Sequence, residues 1–128
     1  MEISPNLAGA FEDSVRQIRR RFMERLDQQI EELDDCAVEI EQNQQASTAL
    51  LAATEIVHRI AGVARTLGFP QLGHLAAEAE GTLLSASNMP ASNNRLQALN
   101  AMECLVIEMI KISEECLTSA AMGPNSVT

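Results

Sequence analysis

The chain has no tryptophan and no tyrosine, and Phe11, Phe22 and Phe69 are its only aromatic side chains of this kind among 128 residues. A β-sandwich or barrel leans on aromatic and β-branched strands, so this composition argues against one. It also removes the stacking platforms that single-stranded nucleic acids require. A basic excess is equally lacking. Nine Lys and Arg face eighteen Asp and Glu, for a net charge of −9 and a pI near 4.6, whereas a phosphate backbone needs a cationic face. No CxxC occurs. Cys36, Cys104 and Cys116 form an odd, widely spaced set, expected to be buried thiols in a reducing compartment. No uninterrupted apolar run approaches the roughly 18 residues of a membrane span. No basic segment followed by an apolar run opens the chain in the manner of a signal peptide. A cytoplasmic protein with no membrane or nucleic-acid partner is expected.

What remains is a 46% hydrophobic chain built from Leu, Ile, Val, Ala and Met, of a size that suits one domain with a real core. Its patterning is helical throughout. Residues 1–10, with Pro5 and Gly9, read as an N-terminal arm or short helix. From about Phe11 to Gln42 an apolar stripe recurs at three- and four-residue spacing: Val15, Ile18, Phe22, Leu26, Ile30, Leu33, Ala37 and Ile40. The other faces carry a basic run, Arg16 to Arg25, and then an acidic run, Glu31 to Glu41. That order opposes the helix dipole, so packing must hold this helix.

A polar break at 43–47, with Ser47 placed to cap, precedes a second helix to Leu67 that buries Leu50, Ala53, Val57, Ile60, Ala64 and Leu67. Gly68-Phe69-Pro70 stops one helix and starts the next, since glycine suits the left-handed position after a helix and proline the first turn of another. The third helix, 70–86, buries Leu72, Leu75, Ala76, Ala79 and Leu83. After a break at 87–90 the fourth, 92–121, uses Leu96, Leu99, Met102, Val106, Met109, Ile110 and Leu117, with the methionines as core filler. Residues 122–128 read as a flexible tail. Short connections make neighbours antiparallel, so the expected architecture is all-α: an up-down-up-down four-helix bundle over residues 11–121.

One position stands out. His58 follows core-facing Val57 and therefore lies at or beyond the edge of the apolar stripe, with Thr54, Glu55, Gly62 and Arg65 also off it. Glycine in a helix interior costs about 1 kcal/mol relative to alanine. Gly62, one turn from an exposed histidine, suggests space cleared for something large to approach the imidazole. Neutral imidazole is a nucleophile, and one ring nitrogen can attack while the other keeps its proton in a hydrogen bond. Counting from the Phe69 bend, His58 is about 16 Å along the axis, mid-bundle. The third helix returns to that level near Glu80, and the first helix near Leu33 and its acidic neighbours. His74, beside Gly73, reads as an ordinary surface histidine. No carboxylate or thiol cluster pairs with either histidine at ligand spacing, so no metal site is expected.

The residues His58, Ile60, Gly62, Ala64, Gly68, Leu72, Leu75 and Glu80 fall at the places of a known motif: His-x-aliphatic-Lys-Gly-small-Ala, a second glycine six residues after the first, then leucines and a glutamate on the following helix. In this the chain resembles the histidine-containing phosphotransfer domain family of two-component phosphorelays. The strict motif covers about 23 residues, and the helical pattern extends the likeness over most of the chain. The resemblance implies a phosphocarrier without ATP-dependent kinase activity. His58 would accept a phosphoryl group from the aspartyl phosphate of a response-regulator receiver and pass it to another receiver. It also implies a hybrid sensor histidine kinase as partner, no cofactor of its own, and Mg²⁺ supplied by the receiver. The net charge and the completeness of the bundle favour a monomer, although an exposed stripe on the first helix could support a dimer. Gly62 would let the receiver close over the ring, and Thr54, Glu55, His58, Gly62 and Arg65 would form the docking surface.

The chain departs from the motif at one place: the lysine three residues after the histidine is Ala61. Arg59 or Arg65 could steady the phosphoryl group instead, Arg65 being on the His58 face. The same departure favours an alternative, a docking module that binds receivers without transferring phosphate. A histidine-kinase dimerisation helix pair fits less well, because Arg59 rather than an acid follows His58 and no glycine-rich nucleotide lobe is present. A hydrolase is poorly supported, with no Ser, Cys or paired acid beside His58.

Overall fold

In the computed structural model the backbone is described for residues 5–43 and 46–121, and side-chain environments for 12–43 and 46–115. Four helices follow one another: α1 (Pro5–Gln42), α2 (Ser47–Leu67), α3 (Pro70–Asn88) and α4 (Ser92–Ala121). Each packs on its sequence neighbours and α4 closes onto α1, the arrangement of an up-down-up-down bundle. No strand occurs among the described residues.

Three corrections to the sequence-based boundaries emerge. Helix α1 begins at Pro5 rather than near Phe11, so residues 5–10 of the expected arm or short helix are continuous with α1; proline at the first helical position has a φ suited to it. Residues 1–4 and the expected tail, 122–128, lie outside the described residues. Ser47 does not cap α2. It is already the first helical residue, Ala46 precedes it as a buried cap position, and no side chain closes the first turn. Helix α3 runs two residues beyond Ala86 to Asn88, and Asn94 Nδ2 of α4 donates to the Met89 carbonyl at 2.8 Å across the α3–α4 connection.

The α2–α3 connection forms as its sequence dictates. Gly68 adopts φ 82° and ψ 34°, the left-handed conformation that only glycine takes without penalty. The Phe69 N–H returns to the Ala64 carbonyl at 2.9 Å, a Schellman closure, and Pro70 opens α3. Arg19 of α1 locks this corner. Its Nη2 donates to the Leu67 carbonyl at 2.7 Å, and its guanidinium lies 5.4 Å from the centroid of the Phe69 ring. Phe69 in turn stacks on Phe22, centroids 5.8 Å apart.

The core is aliphatic, as the composition requires. Leu26, Leu33 and Ile40 of α1 meet Val57 and Ile60 of α2, Leu72 and Leu83 of α3, and Met102, Leu105 and Met109 of α4, all fully buried. The stripe expected on α2 is buried throughout. On α4 the phase differs. Ala98, Met102, Leu105, Met109 and Ile112 are buried, whereas Leu96 and Ile110 are exposed and Leu99 and Val106 only half-buried. Apolar residues surround much of this helix, so two registers of the same spacing compete in the sequence and packing selects one. Ile18, expected in the apolar stripe of α1, is also exposed. The thiols are less buried than expected: Cys104 is exposed and Cys36 half-buried, both unpaired, while the side chain of Cys116 lies outside the described residues.

Candidate functional site

Helix α2 carries its apolar stripe inward, and the residue after Val57 therefore emerges on the outer surface. The His58 side chain is 73% exposed. Helix α3 returns past it with Glu80 at the same level, and His58 Nδ1 lies 2.7 Å from Glu80 Oε2. An ionised carboxylate only accepts hydrogen bonds, so this contact places the imidazole proton on Nδ1. The lone pair is then on Nε2, which faces away from α3 and has no partner among the described residues. Glu80, only 26% exposed, is itself held at the α2–α3 seam. The pair thus fixes the orientation of an exposed imidazole and places a carboxylate beside it.

Gly62, one turn along, is exposed, and a Cβ built there would meet nothing within 4 Å. The glycine is not demanded by packing or by φ. Its effect is to leave the surface beside the histidine flat.

On the other side of His58 an open groove of about 670 Å³ runs between α1 and α2. His58, Arg59, Gly62 and Val63 line it from α2; Arg21, Arg25, Gln28, Gln29 and Glu32 line it from α1. Arg19 against Leu67 sets the register of the two antiparallel helices, bringing Gln28 and Gln29 to the level of His58. The sequence-based estimate put Leu33 and its acidic neighbours there. The true register is about a turn lower, so of that acidic run only Glu32 reaches the groove, where Gln28 Nε2 donates to its carboxylate at 3.1 Å. Gln29 Oε1 is buried in the wall without a hydrogen-bond partner.

The remaining sequence candidates divide. Arg59 joins His58 and Gly62 in the groove. Arg65 is exposed, but its stem crosses to α3: a Cβ at Gly73 would stand 3.2 Å from Arg65 Cγ. Ala61 is buried at 8% and lies on the same flank, its carbonyl toward Gly73. It is therefore not on the open face with His58. Thr54 is half-buried, its hydroxyl donating to the Leu50 carbonyl at 2.6 Å, and Glu55 is exposed. His74 is exposed. Among the described residues no group of three or more His, Cys, Asp or Glu could hold a metal ion, and no helix is long and apolar enough to cross a membrane. Sequence reasoning missed Arg21 and Arg25, which share the groove with His58, because their place depends on a helix register that no local signal encodes.

An exposed histidine, oriented through one nitrogen on a helical bundle and flanked by a bare glycine, is chemically suited to carrying a group on the other nitrogen. No curated protein and no solved structure matches the chain. The sequence model of the family described as "Hpt domain" matches residues 17–110, which contain the histidine, its glutamate partner and the groove. Domains of this family are phosphocarrier modules rather than kinases, with a phosphotransfer role in two-component signalling. The matched span takes in most of the bundle, and the chain belongs to the Hpt domain family.

Proposed function

We propose that this protein is a phosphorelay carrier in which His58 Nε2 takes a phosphoryl group from a receiver aspartyl phosphate and delivers it to a second receiver aspartate. The observation that carries this reading is the His58–Glu80 contact, which supports Nε2 as the nucleophile. In the forward step the Nε2 lone pair forms the P–N bond and the P–O bond to the aspartate breaks. The aspartate leaves as carboxylate. The Nδ1 proton stays in place, so the phosphorylated ring is cationic and Glu80 offsets its charge. Delivery is the reverse of these steps. Transfer between such groups is mainly a matter of in-line approach and charge neutralisation. Gly62 permits the approach, and Thr54, Glu55, Gly62 and Arg65 surround the ring as docking surface. Arg59 and Arg65 stand in for the lysine that Ala61 replaces. The receiver brings its own Mg²⁺, and a hybrid sensor histidine kinase is the upstream source.

The test is phosphate transfer. The protein is incubated with Mg²⁺ and a panel of phosphorylated receiver domains, beside a His58→Gln control. Acid-labile, base-stable label on the wild type alone is the expected result. Saturable binding to a receiver with no label from any of them would replace this reading with the second one, a docking module without transfer, which Ala61 favours.

A further inference from the structure

The groove beside His58 is rich in cations that the fold leaves unspent. Arg16 pairs with Asp13, Arg19 caps the Leu67 carbonyl, and Lys111 lies near Glu108. Arg20, Arg65 and Arg95 make no ion pair or side-chain hydrogen bond among the described residues either, but Arg21, Arg25 and Arg59 are the unpaired cations that line one groove, and all three are exposed. This happens in a chain with twice as many carboxylates as cations, eighteen against nine. The single carboxylate of the groove, Glu32, is engaged by Gln28. Long unpaired arginines facing one another across a furrow repel in the free protein, and an anion between them relieves that.

Glu80 holds Nδ1 toward α3, which leaves Nε2 on the far side of the ring, and His58 itself lines the groove. The position from which the family motif would offer a lysine is buried here. We infer that Arg21 and Arg25 of α1, together with Arg59, form the cationic cradle for the phosphoryl group on His58, so that its charge is met across the groove from a different helix. The inference rests on the phosphocarrier reading of His58 but concerns residues that the motif does not contain. Gly62, with no atoms above it, is the gap through which guanidinium and phosphoryl oxygens meet. The charged groups around the site are Arg21, Arg25 and Glu32 from α1, Glu55, Arg59 and Arg65 from α2, and Glu80 from α3.

The cradle can be tested without a receiver. Zwitterionic phosphoramidate transfers its phosphoryl group to Nε2 as its own P–N bond breaks and ammonia leaves, giving the same phosphohistidine. The second ionisation of that phosphoryl group is read from the pH dependence of its ³¹P chemical shift in the full chain. Nearby guanidinium groups favour the dianion and lower the midpoint. The combined variant Arg21→Ala, Arg25→Ala, Arg59→Ala should raise it by about half a pH unit, from Coulomb attraction at surface dielectric and ordinary salt. Lysine at the same three positions should restore most of the shift, which a purely structural role would not produce. The three side chains are exposed and their removal relieves mutual repulsion, so thermal melting should not fall. Equal midpoints in the wild type and the alanine variant would overturn the inference. Phosphoramidate labelling with the expected shift, but no label from any receiver, would uphold the cradle while removing the relay reading. No phosphoramidate label at His58 would overturn both.

Discussion

Nδ1 of His58 and Oε2 of Glu80 stand 2.7 Å apart across the α2–α3 seam, joining residues 22 positions apart in the chain. The contact orients the ring and sets a counter-charge against the cationic form. A hydrogen bond to a charged group contributes about 1.5–3 kcal/mol in favourable settings, less at an exposed site. Glu80→Ala should therefore slow phosphorylation of His58 by about 3- to 10-fold, and Glu80→Gln, which keeps an acceptor but not the charge, by less. Single-turnover labelling by a phosphorylated receiver measures both, and equal rates in all three proteins would remove Glu80 from the mechanism.

Gly62 separates stability from function. Because a Cβ there meets nothing, Gly62→Ala should raise stability by about 0.5–1 kcal/mol through helix propensity alone. On the proposed function the same methyl group would stand where a receiver closes over the imidazole, so transfer should slow. A variant that melts higher yet transfers more slowly is the expected pair of results.

The phase of α4 is checked by two leucines. Leu105 is fully buried, and Leu105→Ala should cost about 2–5 kcal/mol. Leu96 is 57% exposed, and Leu96→Ala should change stability by less than about 0.5 kcal/mol. Denaturant titration of both variants distinguishes the observed register from the one expected from sequence.

At Gly68 the expected cost is conformational. A Cβ there would find only Arg19 Nη2 at 3.9 Å, an ordinary contact, while φ remains at +82°. Gly68→Ala should lose about 1–2 kcal/mol from forcing an L-residue into the left-handed region. A loss well below that in chemical denaturation would mean that the turn relaxes to another conformation.

The two described cysteines should differ in reactivity. Partial burial, and then the charges of Asp35 and Glu32, hold the Cys36 thiol above its ordinary range, whereas Cys104 is exposed. Site-resolved alkylation near pH 8 should modify Cys104 first. Because folding raises the Cys36 pKa, its contribution to stability is complete at neutral pH. That contribution is lost as pH climbs past the unfolded thiol value and through the folded one. Cys36→Ala should flatten the alkaline limb of the stability profile.

Much of this was legible in the sequence because it is local. The Gly68-Phe69-Pro70 stop, the α2 stripe and the isolation of His58 beside Gly62 all follow from spacing within one or two turns. Even the level of Glu80 could be counted from the bend, because a single tight turn joins α2 to α3. The α1 side of the site could not be read in this way. A longer connection separates α1 from α2, and a shift of one turn exchanges the acidic run for Arg21, Arg25 and Gln28 at the groove. On α4, apolar residues on several faces left the choice of buried stripe to the neighbours it packs on.

The corner held by Arg19 has a consequence for modularity. The Leu67 carbonyl, at the end of the helix that bears the histidine, is satisfied by a side chain 48 residues earlier, and Phe69 beside it rests on Phe22 of the same distant helix. The α2–α3 hairpin thus contains His58 and Glu80 but not the parts that finish its own turn. Excised or grafted alone, it would carry the motif and lose the shape. Any unit transplanted or inherited intact must include α1 from Arg19 onward, and α4 as well, whose Met102, Leu105 and Met109 complete the core.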